Sequence, residues 1–173
     1  MKDAKNEYSY NSKGSLTSQI KYVGETDETS VGDYRIENTY DNNNNKILYV
    51  IFRWNNETNN WKEFYKYEYT YNDNNLLIMQ NQYSWVNSVD MWIADFRSEF
   101  QYDNNNNLVL KTIQTWDVMT NLWINSYKYS YTYDNNYVVS NLYPVNYLNN
   151  FISKTTTSNN ISAEAKMYYW ELS

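Results

Sequence analysis

The stretch W-K-E-F-Y-K-Y-E-Y-T-Y, Trp61 to Tyr71, decides how this chain is read. It returns 31 residues later as Trp92 to Tyr102, and again as Trp123 to Tyr133. A second Trp precedes each copy by seven residues: Trp54, Trp85 and Trp116. Successive side chains of a strand point to opposite faces, so residues two apart share one. Counting by twos from Trp61 collects Trp61, Glu63, Tyr65, Tyr67, Tyr69 and Tyr71, while Lys66, Glu68 and Thr70 fall between them. Period-two alternation in aromatic and Thr-rich composition predicts a β-strand, of about 35 Å at about 3.3 Å per residue. The same count puts each copy's Trp and Tyr residues on one shared face.

Working outward, each ladder strand is followed by an Asn-rich turn: Asp41 to Asn45, Asn72 to Asn75, Asp103 to Asn107. An apolar strand follows each turn, Ile47 to Trp54, Leu76 to Trp85 and Leu108 to Trp116. A six-residue loop, Asn55 to Asn60, Val86 to Met91 or Asp117 to Leu122, then leads into the next ladder strand. Residues 7–36 form a degenerate first repeat. Tyr8 and Tyr10 end its ladder strand, Ser12 to Leu16 make its turn, and Val23 and Ser30 stand where the Trp pair is expected. Terminal repeats depart from the pattern because they cap the array. Gly24 to Gly32 reads as an acidic loop. Residues 37–143 hold the regular repeats, with a further turn expected at Tyr133-Asp134-Asn135. Residues 144–173 form a C-terminal cap that opens on Pro144 and closes with a last strand, Lys166 to Leu172, over the sheet edge. The expected fold is one all-β repeat domain over residues 1–173. It is an antiparallel β-hairpin meander of about four to five 31-residue repeats and nine or ten strands, in an open or curled single sheet. A closed β-barrel is the alternative.

Composition narrows the function. The chain of 173 residues has 21 Tyr and 7 Trp but 3 Gly and 1 Pro, and mean hydropathy is -0.87, so aromatic rings must supply much of the burial. The net charge of -6 argues against binding nucleic acid through its phosphates. With no Cys and no His, disulfides, zinc sites of the usual donors and His-based triads are excluded. There is no apolar run long enough for a transmembrane helix and no apolar leader in Met1 to Tyr10. A transmembrane β-barrel fits poorly, because Tyr fills the middle of the strands where lipid calls for aliphatic side chains.

Several patterns invite a chemical reading. The alternate oxygens of Asp41, Asn43, Asn45 and Asp103, Asn105, Asn107 resemble half a calcium loop, but the closing Glu and the Gly bend are missing; turn formation explains them better. No metal and no cofactor is expected. Glu63, Glu68 and Glu99 form no repeated acid pair of the kind glycoside hydrolysis needs, so no enzyme activity is expected. Asn56-Glu57-Thr58 and Asn160-Ile161-Ser162 are sequons that arise readily by chance in Asn-rich sequence. The candidate ligand-binding residues are Trp54, Trp61, Trp85, Trp92, Trp116 and Trp123. Facing each other across the loops, they are either structural clamps or rows of exposed indoles that stack on sugar rings.

The segments Thr39 to Asn43 (T-Y-D-N-N), Gln101 to Asn105 (Q-Y-D-N-N) and Thr132 to Asn136 (T-Y-D-N-N) resemble the Tyr-Asp (YD) repeats of the Rhs and teneurin family. Thr70-Tyr71-Asn72-Asp73 is a shifted version. Asn replaces the family's Gly after the turn, and each repeat carries two additional Trp residues. The resemblance implies a β-hairpin array in a secreted or surface-exposed bacterial protein, without catalytic residues. The expected role is a non-catalytic surface, adhesion or scaffold module with a protein partner. A carbohydrate-binding module with a glycan partner and a subunit that self-associates through its sheet edges are the alternatives.

Overall fold

The computed structural model describes residues 3–24, 31–138 and 160–169. Ten strands follow one another: β1 (Asp3–Tyr10), β2 (Leu16–Gly24), β3 (Val31–Tyr40), β4 (Lys46–Asn55), β5 (Asn60–Tyr71), β6 (Leu77–Val86), β7 (Met91–Tyr102), β8 (Leu108–Asp117), β9 (Leu122–Val138) and β10 (Asn160–Tyr169). Their spatial order is their sequence order, an antiparallel meander in one sheet that does not close into a barrel. No helix occurs among the described residues, and hence none long and apolar enough to cross a membrane.

The turns explain why the hairpins form with so little Gly. In the turn from Asp41 to Asn45 the Asp41 N–H donates to the Asn45 carbonyl at 2.9 Å, and the Asn44 N–H donates back to the Asp41 carbonyl at 3.0 Å. The Asp41 carboxylate accepts the Asn45 N–H at 2.8 Å and the Asn45 side-chain amide at 3.0 Å. Asn44, Asn75 and Asn106 take φ of 67°, 59° and 63°, and Gly14 holds the matching place in the first turn at 79°. This is the left-handed region, which Asn tolerates better than most residues. The turns also bond one another within a row: Asn44 donates its amide to Ser15 Oγ at 2.8 Å, and Asn74 donates its own to Asn106 Oδ1 at 3.4 Å. At the other end of the hairpins, Asn59, Asp90 and Asn121 have positive φ in the same repeat position. These loops are shorter than the sequence suggests. Asn55 pairs with Asn60 and Asp117 with Leu122, so residues 56–59 and 118–121 alone lie outside the ladder.

Two bulges per repeat shape the strands. One follows the turn: Thr39 faces Leu48 and Tyr40 faces Lys46, which leaves Ile47 extra; Val109 is extra in the same way between β7 and β8. The other bulge changes the reading of the aromatic rows. Trp54 faces Trp61 and Phe52 faces Glu63, but Ile51 faces Tyr65, so Phe64 is extra. Asp33 and Ser126 are extra at equivalent positions. An inserted residue swaps the faces of everything beyond it. Trp61 and Glu63 therefore share the face of Phe52 and Trp54, while Tyr65 and Tyr67 lie on the opposite face with Ile51 and Tyr49. Counting by twos fails at Phe64, and the Trp and Tyr rows occupy opposite faces.

The chain gathers into two units, Met1–Tyr69 with Asn81–Asp95, and Thr70–Gln80 with Phe96–Ser173. In each, most described strand side chains are half-buried. Val50 is the buried hydrophobic side chain of the first and Leu76 that of the second, among the described residues. In the first unit, the Leu16 carbonyl accepts the Tyr40 hydroxyl at 2.8 Å and the Asn38 amide at 2.9 Å. In the second, the Tyr102 hydroxyl bonds the Leu77 carbonyl and the Tyr133 hydroxyl the Leu108 carbonyl, both at 2.8 Å. The Tyr of each Tyr-Asp pair thus satisfies a carbonyl at the start of a neighbouring strand.

Two expectations change at the C-terminal end. Tyr133-Asp134-Asn135 does not turn, and β9 continues to Val138. The left-handed place filled by Asn44 and Asn106 falls here on Tyr137, whose bulky side chain disfavours it. The closing strand begins at Asn160 and pairs with β9, six residues before the expected Lys166. The alternation of Ile161, Ala163, Ala165 and Met167 accounts for that earlier start. Residues 25–30 of the acidic loop, Pro144 and residues 170–172 of the expected last strand lie outside the described residues.

Candidate functional site: the paired tryptophans

Each Trp pair is a direct cross-strand pair, as Trp54↔Trp61 and Trp116↔Trp123 show. The rings meet edge to face: Trp54 and Trp61 at 5.1 Å and 75°, Trp85 and Trp92 at 5.2 Å and 76°, Trp116 and Trp123 at 5.1 Å and 67°. Such geometry sets the positive edge of one ring against the negative face of the other, and contributes about 0.5–1.5 kcal/mol beyond area burial. All six indoles are half-buried. The Trp54 indole N–H is buried without an acceptor, so it is turned away from any ligand hydroxyl. The first pair also packs on bare backbone. A Cβ added at Gly32 would stand 2.7 Å from Trp61 Cη2 and 2.8 Å from Trp54 Cε3.

The bulge brings a second repeated set to the Trp face, which alternation alone assigns to the other side. Arg35, Lys66 and Arg97 recur every 31 residues. The Arg35 guanidinium stands 4.1 Å from the Phe52 ring centroid and 5.7 Å from that of Trp61. Lys66 Nζ lies 4.3 Å from Tyr83 and 5.4 Å from Trp92, and the Arg97 guanidinium lies 4.3 Å from Trp123. A carboxylate two residues on pairs with the cation: Glu37 with Arg35 at 3.3 Å, and Glu68 with Lys66 at 2.8 Å. Glu68 also accepts the Tyr83 hydroxyl at 2.9 Å. The second Trp of each pair is therefore engaged by its partner indole and by a cation. The signal for this was present in the sequence as Arg or Lys followed two residues later by Glu, at 35, 66 and 97.

The opposite face carries the Tyr row. Tyr49 and Tyr67 pair across strands at 5.7 Å. Burial pushes the hydroxyls of Tyr49, Tyr67 and Tyr131 above their ordinary pKa, and neighbouring Tyr groups add to the effect. Burial holds the Lys46 and Lys111 ammonium groups below theirs. Lys111 Nζ lies 5.6 Å from the Phe100 ring and 6.0 Å from that of Tyr129.

The carboxylates are committed locally. Asp33 bridges Lys21 at 2.8 Å and Arg53 at 3.5 Å, and Asp95 accepts the Ser84 hydroxyl. Partial desolvation raises the Asp103 pKa, but hydrogen bonds from Asn107 and Asn105 outweigh it and leave the group below its ordinary value; Asp41 behaves alike. Asp117 is lowered by the Met119 backbone N–H and the Thr120 hydroxyl. Among the described residues no three His, Cys, Asp or Glu side chains gather as a metal site. Between the first two turns lies an open depression of about 340 Å³, bordered by Asn11, Asn38, Tyr40 and Asp41.

What varies between repeats is the hairpin tip. Residues 56–59 are polar, Val89 and Met91 are exposed in the next loop, and Val118, Met119 and Leu122 are exposed in the third. Met119 is 87% exposed.

No family model matches the chain, and no curated protein does. Among solved structures, it is similar to a protein of unknown function from Bacteroides fragilis at a TM-score of 0.57 and 17% identity, over 72% of this chain and 88% of that one. Two DUF3836 family proteins are more distant. The one from Bacteroides vulgatus has a TM-score of 0.44 and 18% identity over 53% of this chain and 89% of that one. The one from Parabacteroides distasonis has 0.35 and 14% over 72% and 84%. At such identities the Bacteroides fragilis likeness speaks for the fold alone.

Proposed function

We propose that the chain is a non-catalytic interaction module of a secreted or cell-surface protein, holding hairpin tips out to a protein partner. The observation that carries this reading is the exposed apolar tip formed by Val118, Met119 and Leu122 on a hairpin whose Trp pair and turn are otherwise internally bonded. Exposed methionine is a soft, adaptable contact of the kind that protein-binding surfaces use. The Trp pairs serve as clamps that keep the tip in place, because their ring faces and edges are taken up by one another and by Arg97 or its equivalents.

The test probes a protein array and a glycan array with the labelled chain. The reading expects saturable binding on protein spots that weakens at least about tenfold in a Val118→Asn/Met119→Asn/Leu122→Asn variant with an unchanged circular dichroism spectrum. Binding confined to glycans, or protein binding indifferent to the triple change, contradicts it.

A further inference from the structure

β1 is an edge strand, paired with β2 along one side. A free edge presents unpaired backbone groups to any strand of matching register. Its residues 4–10 are all exposed, with Tyr10 at 60%. Tyr10 holds the position that Tyr40, Tyr102 and Tyr133 hold in later repeats. Those three donate to a carbonyl at the start of the adjacent strand. Among the described residues no further strand flanks β1 on that side, and the Tyr10 hydroxyl has no such acceptor there.

We infer that two copies of this chain pair β1 to β1, antiparallel, about a two-fold axis at Asn6. This register sets Lys5 opposite Glu7 of the second copy and Glu7 opposite its Lys5, so charge is complementary at both places. Ala4 meets Tyr8, small against large. The backbone supports the same register. The Asn11 N–H bonds the Ser15 carbonyl, so Asn11 faces β2, and with β1 regular over its length the even-numbered residues Ala4, Asn6 and Tyr8 turn their N–H and C=O groups to the free edge. A two-fold axis at Asn6 sets these outward groups against one another, Asn6 to Asn6 and Ala4 to Tyr8. The pairing is separate from the hairpin-tip reading and uses none of its residues.

Sedimentation equilibrium of the full chain at low ionic strength tests it. Expected are a reversible dimer, a dissociation constant raised at least about tenfold by either Lys5→Glu or Glu7→Lys, and recovery to near the original value in the Lys5→Glu/Glu7→Lys double variant, whose pairs are reversed but still complementary. The single changes remove an exposed Lys5–Glu7 bridge, 3.3 Å within the strand, and leave the fold intact by circular dichroism. A monomer at every concentration, a dimer indifferent to charge reversal, or species that grow beyond the dimer overturns the proposal.

Discussion

The Tyr133 hydroxyl gives the Leu108 carbonyl a partner outside the β8–β9 ladder, which starts at Leu110, and Tyr102 bonds the Leu77 carbonyl in the same repeat position. Replacing Tyr102 by Phe keeps the ring and strands the carbonyl, a loss of about 1–3 kcal/mol. Urea unfolding should show a lower midpoint at an unchanged slope. Backbone conformation gives a second residue-level test. Asn106 has φ of 63°, so Asn106→Ala should cost about 1 kcal/mol, while Asn106→Gly should cost less, because both give up the long bond from Asn74 but only Gly adopts that φ freely, as Gly14 does in the first turn. These residues were legible in the sequence as turn formers because Asn and Asp have few other reasons to recur at fixed offsets. The Tyr-to-carbonyl bond was not, since it joins residues 24 or 25 apart through a bulge that leaves no compositional mark.

At the level of the turn, the carboxylates set the acid response. Asp41, Asp103 and Asp117 have folded-state pKa values below the ordinary carboxyl value of about 3.9. A depressed folded pKa adds stability that is complete above the unfolded value and lost as pH falls through the folded one. The melting temperature should therefore hold between neutral pH and about pH 5, and fall below about pH 4. Asp103→Asn should flatten that fall. It should also keep the turn, because Asn72 already accepts the Leu76 N–H at 2.9 Å in the same place, at the loss of the Asn107 side-chain bond. The hairpins, their order and the Trp-to-Trp pairing all follow from the 31-residue period. The bulge at Phe64, Asp33 and Ser126 does not, because residues as different as Phe, Asp and Ser occupy it and alternation gives no hint of an extra residue. Missing it separates Arg35, Lys66 and Arg97 from the Trp residues they cover.

Across the molecule, a meander in which each strand bonds its sequence neighbours, with Val50 and Leu76 as the buried hydrophobic side chains described, draws its stability from repeated local pairs. Unfolding exposes less new apolar surface than in a two-layer domain of equal length. The urea slope should accordingly fall below that of such a domain. The recurring bulge is what keeps each aromatic row on a face of its own. Because the chain has no Cys, paired cysteines can test the register cleanly. The bulged register sets Thr112 opposite Lys128. A register continued without the bulge from Trp116↔Trp123 would set Thr112 opposite Tyr127 instead. Both kinds of antiparallel pair bring Cα atoms within disulfide reach. The measurement is the yield of disulfide on mild oxidation of Thr112→Cys/Lys128→Cys and of Thr112→Cys/Tyr127→Cys. Near-complete closure of the first and none of the second is expected; closure of the second in place of the first contradicts the bulged register.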